Sequence, residues 1–292
     1  MINPKTKTIL RWTGSALALL GVGFVVSKLL HYSDQVDLGK LDAQDWLALL
    51  ALVVVCALAN ALLALAWREL LQHQRVALPM VIAVRIYGVS QLAKYVPSNV
   101  LHLIGRQALA TAAGLPGWPV AKATLWELGT LLYASVLFAP LALPFLDRAS
   151  PAWVGTAAFI ATLALGVAAS YKLFSASVAR AVSWQAFYLA LSGLQFLVIL
   201  LLLVPGAELA PVALGICGAY VLAWVAGFVT PGAPAGVGVR ELVLYFLLSH
   251  MVGQPDLLAA VVLARMVSVC GDVLFYLGAV GVRDRLNVNV LS

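Results

Sequence analysis

The chain has 292 residues, of which 63% are hydrophobic and 10% are charged, and its mean hydropathy is +1.00. Soluble domains carry about 25% charged residues, so this composition excludes a soluble globular protein. The formal net charge of +6 would favour nucleic acid in a soluble chain. Here the basic residues lie in loops and apolar segments, which favours anionic lipid or a role in topology. We predict no nucleic-acid partner.

Apolar runs of about 20 residues recur along the chain, and each is long enough to cross a hydrocarbon core of about 30 Å as a helix. The predicted fold class is an all-α polytopic membrane protein with about six full spans and two re-entrant helical hairpins arranged as inverted repeats. The run at 9–30 is about twice as long as a signal-peptide core and is predicted to be a retained span. The six spans are predicted at residues 9–30, 46–67, 119–145, 153–171, 182–204 and 257–281.

The polar segments between the spans are too short for a separate catalytic domain, since none exceeds about 15 residues. We therefore predict one transmembrane domain over residues 1–292. Its first half covers about 46–145 and contains a hairpin at 78–114. Its second half covers about 182–281 and contains a hairpin at 212–252.

The two hairpins are predicted from breaks in otherwise helical stretches. Proline removes a helix hydrogen bond and Gly-rich backbone leaves amides unpaired, so such breaks at membrane depth persist only where protein or water satisfies them. An alternative is one interfacial amphipathic helix for the first stretch and two short spans for the second. The residues that break the hairpins are Pro97, Pro231, Gly232, Pro234, Gly236 and Gly238.

The distribution of charge predicts the orientation. Three basic residues precede the first span, whereas four aspartates lie in the loop that follows it, and positive loops favour the cytoplasm. We predict that both termini are cytoplasmic, with each hairpin returning to the side from which it enters. These charges are Lys5, Lys7 and Arg11, followed by Asp34, Asp37, Asp42 and Asp45.

The two breaks also share a spacing. Arg106 lies nine positions after Pro97, and Arg240 lies nine positions after Pro231. Matching broken helices that enter from opposite faces are typical of an inverted repeat, in which the breaks meet near the midplane and form a substrate site.

Charges in the apolar segments predict the chemistry of that site. A charge at the bilayer centre costs about 2.5–3.5 kcal/mol on insertion scales, so each requires a partner or water. Five cations face three acids, and this surplus favours an anionic ligand, as do the amides at half-helix N-termini. The cations are Arg85, Lys94, Arg106, Arg240 and Arg265, and the acids are Glu127, Glu241 and Asp272.

Two interpretations remain open for the most prominent of these residues. Arg106 and Arg240 either contact a phosphate or form structural salt bridges that hold the hairpins. Glu127 and Arg265 lie in comparable places in the two halves, and their expected role is an internal ion pair, with substrate or proton coupling as the alternative. Asn60 is expected to form a hydrogen bond between packed helices.

Motifs for other chemistries do not occur in the sequence. No HxxxH, HExxH or CxxC spacing provides a metal site, and no Gly-rich loop has the ending of a nucleotide-binding motif. No nucleophile with an adjacent base is present. We predict no metal, no cofactor and no enzymatic activity.

Two segments resemble the flippase-like transmembrane domain that precedes lysylphosphatidylglycerol synthases and occurs alone in many bacterial and archaeal membrane proteins. They are residues 90–100 with Gly105-Arg106, and Pro231-Gly232 with residues 236–241. The resemblance implies lipid-handling hairpins in a bacterial inner membrane. The positions that match polar or backbone-constrained places in the family pattern are Lys94, Pro97, Asn99, Arg106, Glu127, Pro231, Gly236, Gly238, Arg240, Glu241 and Arg265. We predict that Lys94, Asn99, Arg106 and Arg240 bind the lipid head group, and that Glu127, Glu241, Arg265 and Asp272 form intramembrane ion pairs or take part in coupling.

One departure from the family pattern is that Glu127 is not followed by the usual Arg and Asp, so a full charge relay is not expected in this half. The predicted function is translocation of an anionic phospholipid, glycolipid or polyprenyl-phosphate-type lipid. One alternative is a non-catalytic membrane partner of a lipid-modifying enzyme or glycosyltransferase. A second alternative is a small-anion secondary transporter.

Overall fold

The computed structural model describes residues 42–95, 101–146, 151–204, 209–230 and 238–281, and within these ranges the chain is helical with no β-strand. Short 3₁₀ turns occur at Leu92–Tyr95, Ala139–Ala142 and Ala210–Val212. The α-helices are α1 (Ala43–His73), α2 (Met80–Gln91), α3 (Leu101–Ala112), α4 (Gly117–Val136), α5 (Leu143–Leu146), α6 (Ala152–Leu173), α7 (Ala176–Leu203), α8 (Ala213–Val229), α9 (Val239–Leu248) and α10 (Gln254–Gly281).

Within the described residues, six helical stretches are long and apolar enough to cross a membrane, which is the architecture of an all-α polytopic membrane protein. They are Ala43–His73, Gly117–Leu146, Ala152–Leu173, Ala176–Leu203, Ala210–Val229 and Gln254–Gly281. Five of them coincide with predicted spans, and the predicted span at 9–30 lies outside the described residues. The sixth, Ala210–Val229, was predicted to be the first limb of the second hairpin.

Several helix starts follow directly from local sequence. The Asp42 carboxylate accepts hydrogen bonds from the backbone amides of Gln44 and Asp45, and the Asp45 carboxylate accepts one from the Asp42 amide, so α1 begins with a capping box. Ser175 caps α7 in the same way by accepting from the Val178 amide. Helices α2, α4 and α6 each begin directly after a proline, a residue that disfavours helix in the residue before it.

Helix α1 lies at the centre of the bundle and packs against α2, α4, α7 and α10. Small residues allow these helices to approach closely, as is usual between membrane helices. A Cβ atom added at Gly271 of α10 would lie 2.6 Å from the Cys56 Cβ of α1, and one added at Gly193 of α7 would lie 2.9 Å from the Cys217 Cβ of α8. The two halves of the chain therefore share one interior.

The first predicted hairpin contains two helices rather than the single amphipathic helix of the alternative. Helices α2 and α3 pack against each other, and twelve residues rise only about 18 Å, well short of the hydrocarbon core. The break at residues 96–100 lies outside the described residues. Short paired helices are compatible with a re-entrant hairpin, which stays a prediction.

The second predicted hairpin has limbs of unequal length. Helix α8, with the turn before it, is long enough to cross, whereas the ten residues of α9 rise only about 15 Å and pack against α8. Residues 231–237 lie outside the described ranges. Whether the chain returns to the face from which it entered at this point also stays a prediction.

Candidate functional site

Each of the three acids predicted to lie in embedded segments forms an ion pair with one of the predicted cations. Lys94 pairs with Asp272 at 2.7 Å, Arg265 pairs with Glu241 at 2.8 Å, and Arg106 pairs with Glu127. The sequence indicated these acids as the available partners but not which cation each would take.

The Arg106–Glu127 pair is enclosed by protein. Arg106 is 1% exposed and Glu127 is 4% exposed. The other carboxylate oxygen of Glu127 accepts a hydrogen bond from the Tyr87 hydroxyl at 2.8 Å, and the guanidinium carbon of Arg106 lies 3.7 Å from the centre of the Tyr87 ring. The Arg106 Nε donates to the Ser90 hydroxyl at 3.4 Å. This geometry favours the salt-bridge interpretation of Arg106 over direct contact with a head group.

Asp272 is the acceptor in a second cluster, which joins the two halves of the chain. Its Oδ1 accepts from the Asn60 amide at 2.9 Å, and its Oδ2 accepts from Lys94 and from the Tyr95 hydroxyl. Gln91 donates to the Asn60 side-chain oxygen at 3.3 Å. Asp272 is buried, whereas the Lys94 side chain is 29% exposed. Asn60 thus forms the interhelical hydrogen bond expected of it.

One stripe of α2 supplies side chains to both clusters. Tyr87, Ser90, Gln91 and Lys94 follow an i, i+3, i+4, i+7 pattern that continues into the 3₁₀ turn, and residues at this spacing lie on one face of a helix. Sequence reasoning missed Tyr87, Ser90, Gln91 and Tyr95. The polar stripe was the signal that could have identified the first three.

The third ion pair is built around the start of α9. Gly238 precedes α9 with a φ of 85°, a conformation that glycine adopts without steric cost. Its amide donates to one carboxylate oxygen of Glu241 at 2.8 Å, and Arg265 of α10 donates to the other at 2.8 Å. The same carboxylate therefore caps α9 and holds it against α10.

Arg240 lies beside this pair in a different environment. It is half-buried, its guanidinium carbon lies 5.8 Å from the centre of the Trp224 ring, and its Nε is buried without a hydrogen-bond partner among the described residues. Trp224 stacks on Phe228 at a centroid distance of 5.2 Å. Tyr188 of α7 lies within electrostatic range of both Arg240 and Asp272, so the second cluster is close to this arginine.

The intra-half ion pairs are similar in placement but opposite in charge. In the first half, an Arg on the short helix α3 pairs with a Glu on the long helix α4. In the second half, a Glu on the short helix α9 pairs with an Arg on the long helix α10. Each pair links a short helix to the long helix that follows it in the chain.

The remaining predicted residues are only partly placed. Asn99, Pro97, Pro231, Gly232, Pro234 and Gly236 lie outside the described residues, so the expected approach of the two breaks is untested. Among the described residues, no group of three or more His, Cys, Asp or Glu side chains is arranged to hold a metal ion.

In comparisons with known proteins, no family model matches the chain and no curated protein matches it. The resemblance to the flippase-like domain therefore stays a prediction that rests on the two motifs.

Proposed function

We propose that this protein is a lipid translocator that binds the anionic head group of a membrane lipid at Arg240. The observation that carries this proposal is the buried Nε of Arg240, a half-buried residue, which has no hydrogen-bond partner in the described part of the chain. A buried polar group without a partner is costly, and a phosphate oxygen of a bound lipid would supply the missing acceptor.

The nearby acids are already occupied, which supports an external anion as the partner. Glu241 binds Arg265 and the Gly238 amide, and Asp272 binds Lys94, Tyr95 and Asn60. Arg240 and Arg265 lie within electrostatic range of each other with the single carboxylate of Glu241 close to both. This part of the bundle thus carries one more cation than anion when all three groups are ionised.

The position of α9 supports a lipid rather than a soluble anion. Residues on its outer face are strongly exposed, with Leu242 at 68% and Phe246 at 73%, so the helix that carries Arg240 borders the surrounding hydrocarbon. A head group could reach Arg240 from the side while its acyl chains stay in the bilayer. A water-soluble anion would instead require an aqueous path to the same residue.

The pattern of ion pairs supports a mechanism for the movement. Two of the pairs hold a short helix to the next long helix within one half, whereas Lys94–Asp272 joins the first half to the second. Opening the Lys94–Asp272 pair together with the Tyr95–Asp272 hydrogen bond would release the side-chain contacts that hold the 3₁₀ turn after α2 to α10. We propose that this step lets the 3₁₀ turn move away from α10 to admit the head group, while the packing of α1 against α7 and α10 stays in place. The exposed fraction of Lys94 would allow its ammonium group to reach water or phosphate when the pair opens.

The test is movement of a fluorescent phosphatidylglycerol between leaflets of phosphatidylcholine vesicles that contain the full chain, with and without an imposed proton gradient. A membrane-impermeant quencher reports the outer-leaflet fraction. We expect Arg240→Gln to slow this movement about 10- to 150-fold, because a hydrogen bond to a charged group contributes about 1.5–3 kcal/mol. Arg75→Gln makes the same change in charge in a surface turn and is expected to leave the rate unchanged.

Two outcomes would overturn the proposal: equal rates for wild type and Arg240→Gln, or no movement above that of protein-free vesicles. Uptake of sn-glycerol 3-phosphate that depends on Arg240, without lipid movement, would instead identify a small-anion secondary transporter. Stoichiometric co-purification of a lipid-modifying enzyme or glycosyltransferase, again without lipid movement, would identify a non-catalytic partner.

We also propose that the protein lies in a bacterial inner membrane with both termini in the cytoplasm.

A further inference from the structure

A groove of about 470 Å³ lies between α4, α6 and α7, on a different side of α4 from the Arg106–Glu127 pair. One end is marked by the edge-on contact of the Trp126 and Phe174 rings, with centroids 4.9 Å apart. At the other end, the Tyr133 hydroxyl donates to the Gly166 carbonyl at 3.2 Å and links α4 to α6. Along α4 the groove runs for about 10 Å, from Trp126 to Tyr133.

The surface of this groove is suited to hydrocarbon. Its three hydroxyl side chains all donate to backbone carbonyls: Thr130 to that of Trp126 at 2.8 Å, Ser170 to that of Gly166 at 2.8 Å, and Tyr133 to that of Gly166 as described above. Gly129 lines the groove, and a Cβ atom added there would meet nothing within 4 Å. The surface of the groove is therefore mostly apolar, and the space beside Gly129 is not filled by a side chain.

Charge at the Trp126 end identifies the kind of molecule that would occupy the groove. Lys122 is exposed and lies one helical turn before Trp126 on the same face of α4, with its Nζ 5.4 Å from the centre of the Trp118 ring. Lys172 is exposed one residue before Leu173, which also lines the groove. Both cations lie near the turn between α6 and α7, where the two helices reach one face of the bundle. An apolar channel with lysines at its end matches a lipid with a negative head group.

We propose that the groove is a binding site for one acyl chain of a resident anionic phospholipid, whose phosphate lies beside Lys122 and Lys172. This site is separate from Arg240 and does not depend on the proposed transport function. It would hold a lipid at equilibrium against the α4–α6–α7 face, whether or not the protein moves lipid between leaflets.

The test is native mass spectrometry of the full chain in mild detergent, titrated separately with phosphatidylglycerol and with phosphatidylcholine of the same acyl chains. Gly129→Leu adds a side chain at a position that lines the groove, where a Cβ atom meets nothing within 4 Å. Gly278→Leu makes the same change at an exposed helical glycine of α10 that also has open space around it, so it controls for folding and added surface.

We expect Gly129→Leu to weaken phosphatidylglycerol binding about tenfold, because the added side chain would keep about two methylene groups of the acyl chain out of contact with the groove. Gly278→Leu should bind as wild type does. The double variant Lys122→Gln, Lys172→Gln should bind both lipids equally, because only the phosphatidylglycerol preference depends on the lysines.

Equal phosphatidylglycerol binding by wild type and Gly129→Leu would overturn the proposal. It would also be overturned if Gly129→Leu changed the oligomeric state or the set of bound proteins while lipid binding stayed the same, since the groove would then be covered by protein. All of these variants are compared in an Arg240→Gln background, which removes the head-group site of the transport proposal and so separates this result from the test of transport.

Discussion

At the scale of single residues, the charged side chains inside this bundle differ in how completely the protein encloses them. Arg106 and Glu127 satisfy each other within protein, aided by Tyr87 and Ser90. Arg240, by contrast, is partly exposed and lacks an acceptor for its Nε among the described residues. The two arginines have the same sequence spacing, each nine residues after a proline, but they have different surroundings and therefore different expected roles.

The enclosed pair gives a stability prediction. Glu127→Leu leaves the Arg106 guanidinium buried without a counter-ion, and loss of one partner of a buried pair costs about 3–5 kcal/mol. The double variant Arg106→Met, Glu127→Leu removes both charges and should recover most of that loss. Thermal unfolding in detergent, followed by circular dichroism, measures both effects.

Arg180→Met is the comparison variant, because Arg180 is 49% exposed and its partner Glu69, at 2.8 Å, still has Arg68 at 4.0 Å when Arg180 is removed, so the loss should be smaller than for Glu127→Leu. A loss for Glu127→Leu no larger than that for Arg180→Met would contradict the enclosed-pair interpretation.

At the scale of elements, the helices are positioned by close contacts at small residues as much as by ion pairs. Gly271 of α10 faces Cys56 of α1 one residue away from Asp272, so this contact also sets the distance over which Asn60 reaches Asp272. The approach of α1 and α10 therefore supports the cluster that joins the two halves.

Enlarging this contact should destabilise the bundle. A Cβ atom at position 271 would lie 2.6 Å from the Cys56 Cβ, so Gly271→Ala is expected to lower stability by about 1–3 kcal/mol through overpacking. Gly278→Ala, on the same helix but in open space, should instead add up to about 1 kcal/mol through helix propensity. Detergent unfolding curves distinguish the two signs. Equal shifts for the two variants would show that α1 and α10 are not in close contact.

The elements also show which features the sequence could predict. Long spans were predictable because about 20 apolar residues suffice to cross a bilayer, whatever their neighbours. The pairing of Lys94 with Asp272 was not, because it depends on the register between helices from different halves. The stretch Ala210–Val229, predicted to be one limb of a hairpin, is long and apolar enough to cross a membrane. Hydropathy next to a Pro- and Gly-rich segment does not distinguish a full span from a partial one.

At the scale of the whole molecule, basic residues are concentrated at one end of the bundle. Arg68, Arg75, Lys122, Lys172 and Arg180 lie near the C-terminal end of α1, the start of α4 and the turn between α6 and α7, and the acidic residues Asp42 and Asp45 lie at the opposite end of α1. This separation is the pattern that the positive-inside rule associates with the cytoplasmic face.

The orientation can be tested on α1 alone. Gln44 and Gln72 are exposed near the two ends of this helix, which are separated by about 42 Å at 1.5 Å per residue. We expect a membrane-impermeant maleimide to label Gln72→Cys only from the cytoplasmic side and Gln44→Cys only from the other side. Cys56 and Cys217 are buried and Cys270 is half-buried, which keeps the background low. Labelling of both variants from one side would contradict the crossing, and reversed sides would contradict the orientation.

The two intra-half ion pairs place their charges in opposite order, and this limits how the short helices α3 and α9 can be exchanged between the halves. If α3 and α9 traded places, Arg106 would meet Arg265 and Glu241 would meet Glu127, so like charges would repel inside the bilayer. Each short helix is thereby matched to its own long helix, much as charged positions select partners in coiled coils. A chain assembled from two copies of one half, joined in opposite orientations, would lose this means of telling its two short helices apart.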